Sequence, residues 1–74
     1  MTLNKLPLNH TGTVTNIYCD SSIKNRFLDL GLIPGTNITP VFISPLKDPI
    51  AYEFRGNIIA IRKDEAEHII IEKI

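Results

Sequence analysis

Phe27-Leu28-Asp29-Leu30-Gly31-Leu32-Ile33-Pro34-Gly35-Thr36 stops a helix, makes a turn and starts a strand within ten residues. Upstream of Gly31, apolar residues at 23, 27, 28 and 30 recur at the spacing of an amphipathic helix, which predicts a helix over 21–30. Gly31 follows that helix where a left-handed residue closes it without Cβ strain, and Leu32 comes next, placed to touch Phe27 in a Schellman arrangement. Ile33-Pro34-Gly35-Thr36 reads as a type II turn: Pro34 presets φ at the second position, and Gly35 supplies the positive φ needed at the third. Gly31, Pro34 and Gly35 thus form a structural corner, with a strand expected from Thr36.

Upstream, Asp20, Ser21 and Ser22 are all good helix N-caps, and a carboxylate there also complements the helix dipole. Gly12 to Tyr18 is rich in β-branched and aromatic residues, with Val14 and Tyr18 set against Ile17, and reads as a first strand. Met1 to Leu8 contains Pro7 and reads as an arm that tucks Leu3, Leu6 and Leu8 onto the domain. Downstream, Thr36 to Ser44 carries Ile38, Val41, Phe42 and Ile43 with no charge and no helical period, which predicts a largely buried second strand. Pro40 cannot donate to a ladder, so it marks either an edge or a bulge. Pro45-Leu46-Lys47-Asp48-Pro49 is a loop with Leu46 at its tip. Ile50 to Arg55 alternates cleanly, Gly56-Asn57 reads as a two-residue hairpin turn, and Ile58 to Arg62 returns as a strand. Asp64 to Glu67 is at most one helical turn capped by Asp64, and His68 to Ile74 is the fifth strand. Five short strands and one inserted helix predict a mainly β fold, a small SH3-like β-barrel forming a single domain over 1–74.

With 74 residues the chain has room for one core. Its eight basic residues balance its eight acidic ones, and no Lys/Arg cluster interleaves with aromatics, so no nucleic-acid partner is expected. Cys19 is the only cysteine, which excludes an intrachain disulfide or a Cys-pair metal or redox motif and favours a reducing compartment. No apolar run is long enough for a signal peptide or a membrane span, so a cytoplasmic location without direct membrane insertion is expected.

Three blocks in this order and spacing carry a family likeness: Arg26 to Thr36, Pro45 to Pro49, and Gly56 to Ala66 (GNIIAIRKDEA). On these blocks the chain resembles the FeoA family, the small ferrous iron transport protein A, and the resemblance extends over nearly its whole length. The resemblance implies an SH3-like barrel with an inserted helix. It also implies a cytoplasmic, non-enzymatic accessory acting on the large membrane GTP-binding permease FeoB. A related module forms the C-terminal part of some iron-dependent repressors, but here the module is expected to be the entire chain, with no helix-turn-helix domain before it. Phe27 stands where the family more often carries leucine, which would change the shape of a groove beside the helix, and Pro40 interrupts the second strand.

No nucleophile or acid–base pair is spelled out, so no catalytic residue and no bound cofactor are expected. Cys19, just before the helix, could have a lowered thiol pKa, whereas the plainer reading packs it as a small apolar residue. Metal-ligand candidates are His10, Cys19, Asp20, Glu65 and His68; Glu65 and His68 have E-x-x-H spacing, which aligns two ligands only on a continuing helix. Gly56-Asn57 lacks the Gly-rich run and following Lys-Ser/Thr of a phosphate cradle. Arg62, amid apolar neighbours, reads as a structural partner for a carboxylate or a loop carbonyl.

Surface remains. Ile23, Phe27 and Leu30 form one helical stripe, and Leu46 adds an apolar loop tip bracketed by Pro45 and Pro49. Together they suggest a groove for a partner helix or peptide; the plainer alternative is that they close the barrel end. Two functions stay open: an adaptor docking on the cytoplasmic side of FeoB, or an iron-sensing regulatory module that binds a transition metal itself.

Overall fold

The computed structural model describes residues 1–18 and 20–74. A 3-10 turn at Leu3–Lys5 precedes β1 (Gly12–Ile17), α1 (Ser21–Asp29), β2 (Asn37–Ile43), β3 (Ile50–Phe54), β4 (Asn57–Ile61), α2 (Lys63–Ala66) and β5 (Ile69–Lys73). The strands pair antiparallel in the order β4-β3-β2-β1-β5. Ile61 of β4 shares one core cluster with Ile69 and Ile71 of β5, although their strands lie at opposite edges. The sheet therefore bends around the core as a small SH3-like barrel, open between β4 and β5.

The corner forms as the sequence dictates. Asp20 caps α1 through its carboxylate, which accepts from Ile23 N–H at 3.1 Å. At the other end Leu32 N–H donates to the Phe27 carbonyl (2.9 Å) and Gly31 N–H to that of Leu28 (3.0 Å), the two bonds of a Schellman motif, with Gly31 at φ +90°. Thr36 N–H then closes on the Ile33 carbonyl at 3.0 Å with Gly35 at φ +95°, the type II turn. Gly35 N–H and the Thr36 carbonyl both bond Val14, which locks the corner onto β1.

Several local readings are corrected. A register shift between Val14 and Asn16 inserts an extra residue in β1, so Val14 and Ile17, three apart, both face the core and Tyr18 is exposed. β2 is not an edge: it carries a bulge between Pro40 and Phe42, one of the two outcomes the proline allowed. The Pro40 carbonyl accepts from Asn9 N–H at 2.7 Å, away from β3, so the missing N–H also falls on the side where β1 has already ended. Beyond the bulge the strand is not buried, and Phe42 is 60% exposed. The hairpin turn is Arg55-Gly56 rather than Gly56-Asn57: both residues have positive φ, and Phe54 pairs with Asn57 across them, the type I′ geometry that suits the strand twist. In the arm Leu3 and Leu6 are buried but Leu8 is not, and Thr2 bridges Ile70 of β5. α2 begins at Lys63 with Arg62 at its N-cap position, so Asp64 lies inside the first turn, and β5 starts one residue after His68.

Candidate functional site

Phe27 points from α1 into the core and is fully buried in one cluster with Leu32, so it is a core residue and not a groove anchor. The reason is the Schellman turn, which folds Leu32 back over the helix end and draws Phe27 inward with it. Ile23 is half-buried against the same core. Leu30, the C-cap residue, lies outside that contact and stays partly exposed.

Opposite Leu30 stands the loop between β2 and β3. Lys47 N–H donates to the Ser44 carbonyl at 2.7 Å, a tight turn that pushes Leu46 out until it is 89% exposed. Asp48 anchors the loop base to α2: its Oδ1 accepts from Lys63 N–H at 2.9 Å, and its Oδ2 lies 3.6 Å from Arg62 Nη1. Arg62 thus has the structural carboxylate partner expected of it. Glu65 ties the two helices together, its Oε2 accepting from Arg26 Nη2 at 2.6 Å and its Oε1 from Arg62 N–H at 3.3 Å. The Arg26 guanidinium also stands 5.0 Å from the Phe27 ring centroid.

These pairings frame an open groove of about 560 Å³ between α1, the loop, β4 and α2, lined by Arg26, Leu30, Pro49, Ile59, Ala60, Arg62 and Glu65. Leu30 and Pro49 come together there; Pro45 and Leu46 form the projecting loop tip beyond it, and neither Ile23 nor Phe27 lines it. Ile59 and Ala60 escaped the sequence reading, although the run Ile58-Ile59-Ala60-Ile61 held a signal: four apolar residues in succession leave a strand apolar on both faces. The Arg26–Glu65 link has no local signal, being 39 residues apart. A second, smaller hollow of about 400 Å³ lies at the corner, lined by Ile33 to Asn37 and Arg55.

The metal candidates do not converge. Among the described residues no three His, Cys, Asp or Glu side chains stand together, and Cys19 lies outside them. Asp20 serves as helix cap, and the Ile23 amide, then the Ser22 hydroxyl, hold its carboxyl below the ordinary 3.8. Glu65 is taken by Arg26, and α2 ends at Ala66, before His68.

Residues 1–73 match the family profile described as the FeoA domain. The chain is 31% identical over 74 residues to the putative Fe(2+) transport protein A of Helicobacter pylori, covering 99% of this chain and 95% of that protein. It is 27% identical over its full length to the Fe(2+) transport protein A/Fe(2+) transporter FeoB fusion protein of Porphyromonas gingivalis, of which it spans 9%. The solution structure of the Chlorobium tepidum FeoA protein superposes with a TM-score of 0.95 at 30% identity, over 100% of this chain and 70% of that one.

Proposed function

The chain belongs to the FeoA family, associated with ferrous iron transport, and on that premise we propose that it docks on the cytoplasmic side of FeoB and tunes the permease's transport cycle. In the Porphyromonas gingivalis relative the two proteins are one polypeptide, so covalent linkage supplies the proximity that a separate chain must obtain by binding. The observation that carries the reading is the groove itself: an apolar floor of Leu30, Pro49 and Ile59 framed by two ion pairs, with Leu46 projecting from the loop above. A rigid apolar cleft with a charged rim is the anatomy of a docking site. The iron-sensing alternative has no donor cluster among the described residues to carry it.

Binding of the purified chain to detergent-solubilised permease tests the proposal. Leu30→Gln replaces the apolar side chain with a polar amide, and is expected to weaken binding more than about fivefold, an anchor's ~1 kcal/mol. A folded Leu30→Gln chain that binds as well as wild type would remove the groove from the docking surface.

A further inference from the structure

We infer that the docking partner enters this groove as an extended segment that adds a strand to the free edge of β4. The inference rests on the docking reading and concerns how the partner is held. In the β3–β4 hairpin, Phe54 and Asn57 close a two-residue turn and exchange hydrogen bonds, so by antiparallel alternation Ile59 and Ile61 also bond inward to β3. Ile58 and Ala60 therefore turn their N–H and C=O groups outward, and none of these four groups has a hydrogen-bond partner among the described residues. The same strand lines the groove through Ile59 and Ala60. A strand laid along this edge would direct its residue facing Ile59 to the inner side of the sheet, where Leu30 and Pro49 form the groove. Main-chain pairing and a side-chain pocket thus coincide on one strand, the two parts of recognition by strand addition.

The occupant's chemistry follows from the edge's ends. β4 itself is uncharged; Arg55 stands at its turn, and Arg62 and Lys63 follow its other end ahead of Asp64 and Glu65, with Glu65 paired to Arg26 and Arg62, 67% exposed, 3.6 Å from Asp48. A segment that is apolar in the middle and acidic at its flanks is the complement. A second copy of this chain fits less well. Antiparallel pairing centred on Ile59 would set Arg55 against Lys63 of the other copy, and two outward residues form too short an edge to hold a dimer alone.

Hydrogen exchange of the full chain, with and without the detergent-solubilised permease, reads the edge directly. Exchange of the Ile58 and Ala60 amides is expected to slow at least about tenfold in the complex. Ala60→Pro removes one outward N–H and no bond to β3, and is expected to weaken permease binding about tenfold. If Leu30→Gln weakens binding but the two amides exchange in the complex as they do in the free chain, the partner occupies the groove in another form; strand addition then falls while docking stands. Failure of the wild-type chain to bind the permease overturns docking and strand addition together. Protection of both amides in the free chain, rising with its concentration, would show that a second copy takes the edge and would overturn the inference. The exchange measurement on the wild-type chain decides the matter even if Ala60→Pro does not fold.

Discussion

β4 (Asn57-Ile58-Ile59-Ala60-Ile61) and β5 (Ile69-Ile70-Ile71-Glu72-Lys73) are both short and isoleucine-rich, and both lie at an edge of the same sheet. Their surroundings differ. The β5 edge is covered by the N-terminal arm: Ile71 N–H donates to the Met1 carbonyl at 2.8 Å, Met1 N donates to the Ile71 carbonyl at 3.0 Å, and Thr2 bridges Ile70. Among the described residues the β4 edge has no such cover, and Ile58 is 63% exposed. An uncovered apolar edge is a hazard that proteins ordinarily blunt with charge, proline or overlying chain. The closed side of this molecule is built for stability, and the open side keeps an unpaired surface of the kind that recognition uses.

The sharpest break falls on the core that lies between the two edges. Phe27→Ala empties a fully buried site and is expected to destabilise the chain by ~3–5 kcal/mol in urea titration, enough to unfold a domain of this size. Gly31→Val comes next. A β-branched residue would be forced to φ +90° with its Cβ 3.1 Å from Arg55 Cδ, so a loss above ~1 kcal/mol is expected, larger than for Gly31→Ala. Denaturant midpoints for the pair separate backbone strain from crowding.

Base offers a milder probe of the interior. Burial, then the Asp48 carboxylate, pushes the Tyr52 hydroxyl from 10.0 up to about 12. The fold favours the neutral phenol, so this contribution to stability is fully present below pH 10 and is lost as pH rises through about 12. Circular dichroism across that window, with tyrosinate absorbance alongside, should show loss of structure accompanying ionisation. A chain that ionises Tyr52 while remaining folded would contradict this.

The smallest stability effect belongs to the open side. Leu46→Ala removes an apolar side chain that is already in water, so the stability read from denaturant titration should change by no more than ~0.5 kcal/mol, while permease binding weakens. A destabilisation comparable to that of Phe27→Ala would mean that the loop tip belongs to the core.

The corner was legible because its physics is local. Gly31, Pro34 and Gly35 answer to φ requirements within a few residues, and the Schellman motif and type II turn appear where those residues stand. The strand count and mainly β class were legible for the same reason, since alternation and turn chemistry act at short range. Part of the groove was also within reach: Leu30 and Pro49 sit beside the helix end and the proline loop that marked them.

Tertiary structure decided the rest, because those features depend on which distant segments meet. Phe27 and Leu30 share a helical stripe in sequence, yet Leu32 folding back over the helix end buries the first and leaves the second at the rim. The β1 bulge shifted the phase that alternation alone would assign to Tyr18. The pairs Arg26–Glu65 and Asp48–Lys63, which frame the groove, join residues that no local pattern connects. Above all, two nearly interchangeable isoleucine strands took opposite roles because the arm at Met1 and Thr2 reaches only one of them: residue type sets what an edge prefers, and chain topology sets whether it is met.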